Sequence, residues 1–300
     1  MTSSTWAFYS FLGYIVLFFF SIIGLAIFIR KRRRDRPPVV FKLLRGPGET
    51  LRKRIAKYDE DMLFRIGGAA FVPLAVVLIV LWLVLKLHPA TWPQLIIGLA
   101  TTVVVFLLVL FFAGRWALRD LFRYSNDCLG YLGEREVAEH MQPLLANGYL
   151  IYHDVPAEGL EKDFNLDHVA VGPNGVALVE TKTRRKGRAR PGFKDHVVVY
   201  DGKQLIWPWG EDRHGLEQAN AEADWLRKWI KQRTGIDTPV KPILALPGWY
   251  VERKAYGDVT VVNSKSVASA VEGKGPAILT SDQLDLIARQ LDLVCRDVED

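Results

Sequence analysis

The chain has 300 residues, of which 50% are hydrophobic, with a formal net charge of +6 and only two cysteines. So few cysteines exclude a four-cysteine zinc module. The length would allow two ordinary domains, but the first 114 residues consist largely of long uncharged runs. This part of the chain is not typical of a globular domain.

Three uncharged runs predict three transmembrane helices. They lie within residues 1–29, at about residues 66–85 and at about residues 95–112. A helix of about 20 residues spans roughly 30 Å, the thickness of a bilayer's hydrocarbon core, and about 18 residues is near the lower limit. The first run is too long for a signal peptide and has no positive charge before it, so we expect it to remain in the membrane.

The charge distribution predicts the orientation of these helices. Residues 30–65 hold 13 Lys and Arg against 5 Asp and Glu, a net of +8, whereas residues 66–300 total −2. Basic loops stay on the cytoplasmic side. We therefore expect an integral protein of the plasma or inner membrane with its amino terminus outside. The predicted parts are a first helix (1–29), a basic cytoplasmic loop with a short helix at about 51–58 (30–65), a transmembrane hairpin (66–114) and a cytoplasmic domain (115–300).

The cytoplasmic part is predicted to be an α/β domain. Glu134, Val137 and Met141 share one helical face, so Glu134 should point towards a sheet. There it could complete a metal site, or it could simply favour the amino terminus of its helix. Further elements are expected as strands at 149–155, 241–246 and 258–262, a hairpin at 196–207 turning at Asp201-Gly202, a helix at 216–232, and a last helix that starts at the capping box of Thr280 and reaches residue 298.

A second predicted hairpin brings three charged residues together. Two apolar runs, residues 166–171 and 176–182, flank the turn Gly172-Pro173-Asn174-Gly175. If Val171 pairs with Val176, Asp167 lies opposite Glu180, and cross-strand neighbours have Cβ atoms about 4.5–5.5 Å apart. Lys182 then lies on the same face as Glu180, whereas His168 points to the opposite face, as a packed histidine.

These residue types suit phosphodiester chemistry. Carboxylates bind Mg²⁺ or Mn²⁺, which also take oxygens from a substrate phosphate. A nearby ammonium group stabilises negative charge on that phosphate. On its spacing alone, the pattern Asp167, Glu180 and Lys182 could equally be a set of solvated charges on an edge hairpin.

A basic segment follows directly. Residues 182–194 hold seven Lys or Arg and no acidic residue. Such a segment could contact phosphates, or could be a solvated loop. The candidate nucleic-acid-binding residues are Arg184, Arg185, Lys186, Arg188 and Arg190.

The longer string Asp167-His168-Val169, Gly172-Pro173-Asn174-Gly175 and Glu180-Thr181-Lys182 resembles the NERD (nuclease-related) domain of the PD-(D/E)xK nuclease superfamily. The resemblance covers residues from about 129 to 246, from a Gly-Glu helix that contains Glu134 to a helix that contains Gln218. It implies a restriction-endonuclease-like fold with a mixed central sheet flanked by helices. One departure is that Gly187 comes later than the glycine that follows the family's lysine, so the loop that contacts substrate is expected to differ.

The resemblance further implies a metal-dependent nuclease. Asp167 and Glu180 would bind Mg²⁺ or Mn²⁺, Lys182 would stabilise the phosphate or position water, and Glu134 and Gln218 would support them. The expected partners are nucleic acid, DNA more than RNA, and the lipid bilayer. Two alternatives remain: a catalytically silent nucleic-acid-binding or scaffold module at the membrane, and a transport-related or sensing membrane protein. The absence of charge within the spans favours anchoring over transport.

Overall fold

A computed structural model describes residues 42–86, 91–157, 164–273 and 275–297, together with nine separate positions between residues 13 and 28. Two compact units are present, Leu44–Asp297 and the pair of segments Met1–Leu43 and Val298–Asp300. The first predicted transmembrane helix, residues 1–29, therefore lies largely outside the described residues.

Two long helices form an antiparallel hairpin. Helix α1 is Glu49–Lys86 and helix α2 is Trp92–Met141, followed by the short α3 at Pro143–Ala146. Arg65 of α1 forms an ion pair with Asp120 of α2. Residues 49–65 of the expected basic loop are helical, because no Gly or Pro interrupts the chain between Glu49 and the apolar run. The predicted short helix is only the start of α1.

The hairpin contains one candidate membrane span among the described residues, where three were predicted. By length and composition, the helical region Trp92–Ala146 could cross a membrane, with a mean hydropathy of 3.0 in its most apolar window. The corresponding apolar part of α1, Phe71–Val84, is shorter, and a span needs about 20 residues. The helix that contains the candidate span continues without interruption into the α/β domain, because Gly114, Gly130 and Gly133 are each tolerated singly within it.

The domain contains a five-stranded and a four-stranded sheet. The strands are β1 (Leu43–Leu44), β2 (Leu150–Ala157), β3 (Phe164–Gly172), β4 (Gly175–Thr181), β5 (Val197–Tyr200), β6 (Leu205–Trp207), β7 (Gly210–Asp212), β8 (Val240–Ala245), β9 (Tyr250–Arg253), β10 (Thr260–Val262) and β11 (Arg296–Asp297). The five-stranded mixed sheet has the order β10-β8-β4-β3-β2, and the four-stranded sheet has the order β7-β6-β5-β9. In the five-stranded sheet, β2, β3 and β4 pair antiparallel, and β8 pairs parallel to both β4 and β10.

Helices cover both faces of the five-stranded sheet. The end of α2 and helix α5 (Val267–Glu272) pack on the face that carries Ala177 and Val179. Helices α4 (His214–Thr234) and α6 (Ser281–Val294) pack on the face that carries Val176 and Leu178. The predicted α/β domain with a mixed sheet flanked by helices is confirmed. The Thr280 capping box is also present, although α6 ends at Val294 rather than at residue 298.

A buried ion pair fixes the segment before α1 to the domain. Arg45 pairs with Asp154 of β2, and their side chains are 11% and 6% exposed. The Asp154 carboxylate also accepts hydrogen bonds from the backbone N–H of Thr50 (2.8 Å) and from Asn165 Nδ2 (3.0 Å). Asp154 has a φ of 49°, in the left-handed region that Asp tolerates better than most residues. The start of α1 is thus an integral part of the domain.

We expect Arg45→Ala to lower the free energy of unfolding by about 3–5 kcal/mol, because it leaves the Asp154 carboxylate buried without its ionic partner. Urea denaturation of the full chain in detergent micelles, followed by circular dichroism, measures this change. Arg227→Ala is the matched control, since Arg227 pairs with Asp237 at the surface and is 52% exposed; its effect should stay below about 1 kcal/mol. Equal effects of the two substitutions would contradict the assignment.

Candidate functional site

The hairpin of β3 and β4 has the predicted register. His168 pairs with Val179, and Val171 pairs with Val176. Extending this pairing by one position from His168 and Val179 makes Asp167 and Glu180 cross-strand neighbours at the end of the β3–β4 ladder. The backbone N–H of Thr181 donates to Asp167 Oδ2 at 2.8 Å. The Asp167 side chain is therefore held against the end of β4, with its Oδ1 atom outside this hydrogen bond.

Glu180 and Lys182 form a direct pair at the end of β4. The Glu180 side chain is almost fully buried, since β4 lies between β3 and β8 and is covered on both faces. Lys182 Nζ donates to Glu180 Oε1 at 2.8 Å and to Gln218 Oε1 at 2.7 Å. Because side chains alternate along a strand, both residues point to the face that carries α4. Asp167 shares this face with Val169 and Val171 of β3.

Helix α4 adds a carboxylate that the sequence analysis missed. Gln218 Nε2 donates to Glu222 Oε1 at 2.8 Å, one helical turn further on. Glu222 is buried, on the helical face of Ala219, Ala223 and Leu226. A lone acidic residue on the apolar face of an amphipathic helix was the signal that could have revealed it. Gln218 thus joins Lys182 to Glu222.

Glu134 approaches the site from the other side of the sheet. It lies near the end of α2, is 7% exposed and points inward as predicted. Burial, then the charges of Asp154 and Glu180, raise the pKa of Glu134 to about 8, although the backbone N–H of Gly48 favours its ionised form. Gly48 has a φ of 67°, and a Cβ there would lie 2.7 Å from the Tyr131 ring. Glycine therefore allows this close approach of the segment before α1.

The site has more carboxyl groups than its one lysine can neutralise. Burial, followed by the charges of Glu180 and Glu134, raises the pKa of Asp167 well above its usual value. Burial and the Glu180 charge raise the pKa of Glu222 to about 8. Burial acts to lower the pKa of Lys182, but the neighbouring carboxylates outweigh it and raise that pKa. The site therefore holds an excess of negative charge that protons or a cation must compensate.

This excess predicts a dependence of stability on pH. The pKa values of Glu134 and Glu222 rise from 4.5 to about 8 on folding. Their contribution to stability is then fully present below about pH 4.5 and is lost as the pH rises through about 8. We expect urea unfolding in EDTA to show stability falling across this range, with a smaller fall in Glu222→Gln. Glu217→Gln, which alters an exposed acid of the same helix, should retain the full slope; an unchanged slope in Glu222→Gln would refute the assignment.

Several buried oxygen atoms in the site have no hydrogen-bond partner. They are Glu134 Oε2, Glu180 Oε2 and Glu222 Oε2. Within the described ranges, no three His, Cys, Asp or Glu side chains are already arranged as a metal cluster. Mg²⁺, however, is usually bound by one or two carboxylates together with waters and substrate oxygens. The Asp167 and Glu180 oxygens fit that requirement, with Glu222 and Glu134 as further acidic neighbours.

His168 has a structural role, as predicted from strand alternation. Its side chain is fully buried. Its Nδ1 atom lies 2.8 Å from His153 Nδ1, and its Nε2 atom lies 3.3 Å from Thr181 Oγ1. Burial lowers the pKa of His168 and brings that of His153 to about 4, so the two rings are neutral near pH 7. The pair packs under the site without entering it.

In the basic segment after Lys182, some side chains contact other parts of the domain and others are only exposed to solvent. Arg184 pairs with Asp212, while Arg185 donates to Ser125 and Asn126 of α2. Arg190 donates to the backbone carbonyl groups of Pro208 and Trp207. Lys186 and Arg188 are exposed. Of the five candidate nucleic-acid-binding residues, Arg184 and Arg185 also line an open cleft beside Lys182.

Comparison with known proteins agrees with this architecture. Residues 129–247 match the family model described as "Nuclease-related domain", NERD. This range begins on α2 just before Glu134 and ends after β8, so it includes all five predicted catalytic residues. No curated protein and no solved structure matches the chain. The chain therefore contains a nuclease-related (NERD) domain at residues 129–247.

Proposed function

We propose that the protein is a membrane-anchored, metal-dependent nuclease that hydrolyses phosphodiester bonds of nucleic acid, DNA in preference to RNA. The observation that carries this proposal is the convergence of Asp167, Glu180 and Lys182 at the end of the β3–β4 hairpin, inside a NERD domain. A divalent cation needs oxygen ligands that still have bonding capacity. A phosphate is stabilised by a nearby ammonium group.

Each side chain has a role in this proposal. Asp167 and Glu180 would hold Mg²⁺ or Mn²⁺; such an ion, when bound, polarises a phosphoryl group and lowers the pKa of a water. The Lys182 ammonium stabilises charge on the phosphate or positions the attacking water. Gln218 holds Lys182 at 2.7 Å and thereby fixes the direction of the ammonium group. Glu134 and Glu222, with pKa values of about 8, are suited to accept or donate a proton near neutral pH.

Anchoring in a bilayer is supported by the hairpin of α1 and α2. Large apolar side chains on α2 are open to the surroundings, among them Ile97, Phe111 and Phe112. Contiguous exposed apolar surface of this extent is typical of membrane contact. In our proposal the basic stretch of residues 30–65 lies at the cytoplasmic face of a plasma or inner membrane, which places the NERD domain in the cytoplasm.

A catalytically silent nucleic-acid-binding or scaffold module is the second candidate. It is favoured by the Lys182–Glu180 pair, in which an ammonium group already contacts a carboxylate proposed to bind the cation. Such a module would bind nucleic acid in a salt-dependent manner without cleaving it.

A cleavage assay with the full-length chain in detergent micelles separates the two candidates. Labelled DNA and RNA are incubated with Mg²⁺, Mn²⁺, Ca²⁺ or EDTA, and the products are resolved on denaturing gels. The nuclease proposal expects cleavage with Mg²⁺ or Mn²⁺ and none in EDTA. Binding without turnover across all metals and substrates would select the silent module. The full chain is needed because a fragment that starts at residue 115 would lack Arg45 and Gly48.

A further inference from the structure

An open cleft adjoins the candidate site and shares Lys182 with it. It has a volume of about 320 Å³, and Lys182 is one of the residues that line it. Helix α2 provides one wall, and the basic segment with the loop between β6 and β7 provides the other. The lining residues are Asn126, Leu129, Lys182, Thr183, Arg184, Arg185 and Trp209.

Trp209 is an exposed aromatic ring held in a fixed position. It is stacked on Trp207 with a centroid separation of 5.7 Å and an interplanar angle of 12°, and it meets Trp249 edge-on at 5.4 Å. The backbone of Gly187 approaches the same ring, since a Cβ at that position would lie 3.3 Å from Trp209 Cε3. Despite these contacts Trp209 is 36% exposed. It therefore presents open aromatic surface to the cleft with little rotational freedom to lose on binding.

The two arginines of the cleft are also oriented in advance. Arg185 donates to Asn126 Oδ1 at 2.7 Å and to the backbone carbonyl of Ser125 at 2.9 Å. Arg184 lies 5.3 Å from the Trp207 ring centroid and pairs with Asp212. Each guanidinium group carries five N–H donors, so these contacts leave others for a phosphate. The cleft thus combines a stacking surface and oriented cations, and Lys182 is among its lining residues.

From this geometry we infer that the cleft binds single-stranded nucleic acid, with one base stacked on Trp209 and the adjacent phosphates directed by Arg184 and Arg185 towards Lys182. This inference rests on the proposed function and names its substrate class. Base-to-aromatic stacking needs an unpaired base whose face is free, which a duplex does not offer away from its ends. The cleft volume also falls in the range of small-molecule sites, which suits a single nucleotide better than a double helix.

The test measures binding in the absence of cleavage. Fluorescein-labelled single-stranded and duplex DNA of equal length are titrated with the full chain in detergent micelles containing EDTA, and anisotropy gives Kd. The wild-type protein should bind the single strand at least about tenfold more tightly than the duplex. Trp209→Ala should weaken single-strand binding about tenfold, the effect of roughly one lost stacked base, and leave duplex binding unchanged. Trp209→Phe, which retains a ring, should stay within about threefold of wild type.

Two controls separate stacking from damage to the fold and from loss of charge. Tyr256→Ala removes another exposed aromatic ring, 87% exposed and not among the residues that line the cleft; it should change neither affinity. Trp209→Ala should keep the wild-type dependence of log Kd on log salt concentration, because the ring carries no charge. Equal affinity for the two DNA forms, or equal loss in Trp209→Ala and Tyr256→Ala, would overturn the inference. Because this test does not measure cleavage, the same difference in binding is expected if the protein is a catalytically silent module.

Discussion

Asp167→Asn should abolish metal-dependent cleavage and, in EDTA, should stabilise the protein. The substitution removes one of two proposed cation ligands, and we expect a loss in kcat on the order of a thousandfold. Asn can still accept the hydrogen bond from Thr181, so the hairpin should keep its geometry. Because burial and neighbouring carboxylates raise the pKa of Asp167, its ionised form opposes folding at neutral pH in the absence of a cation. A neutral side chain removes that cost.

The measurements are kcat on DNA with Mg²⁺ and Tm by circular dichroism with and without the metal. A gain of about 1 kcal/mol corresponds to roughly 2–4 °C in Tm for a domain of this size. Mg²⁺ should raise Tm in wild type, because it binds only the folded site, and should do so much less in Asp167→Asn. Asp224→Asn, at an exposed acidic position of α4, is the matched control and should behave as wild type. Cleavage that survives in Asp167→Asn would remove this site from the mechanism.

Lys182→Gln should lower kcat by about 10²- to 10³-fold with a much smaller change in KM, because an ammonium group that acts on the developing charge contributes mainly in the transition state. The glutamine amide can still donate to Glu180 and Gln218, which protects the fold better than alanine would. Full cleavage kinetics at saturating Mg²⁺ measure the two constants separately.

Lys186→Ala is the matched control for this prediction. Lys186 is exposed in the same basic segment, so its loss should weaken DNA binding and reduce the salt slope by about one, while kcat stays unchanged. If Lys182→Gln changed KM alone, as Lys186→Ala is expected to do, Lys182 would be a binding residue and the proposed catalytic role would be wrong.

The sequence predicted the centre of the site because that centre is local. A glycine-rich turn and the two-residue alternation of strands fix the register from Asp167 to Lys182. The Glu222 carboxylate was missed because its importance depends on which face of α4 meets the sheet. Arg45 and Asp154 are 109 residues apart, and no local pattern connects them. The helix over residues 49–65 extends beyond the predicted short helix at 51–58, because the chain has no helix breaker between Glu49 and the apolar run.

Because α2 is one continuous helix, it fixes the distance between the membrane and the candidate site. Twenty-two residues separate Phe112, at the end of the apolar run, from Glu134 beside the site, and a helix rises about 1.5 Å per residue, which gives about 33 Å. In the anchored arrangement proposed above, this rigid spacing would confine hydrolysis to a thin layer next to the bilayer. Nucleic acid deep in the cytoplasm would stay beyond reach, whereas strands close to the membrane surface would be accessible.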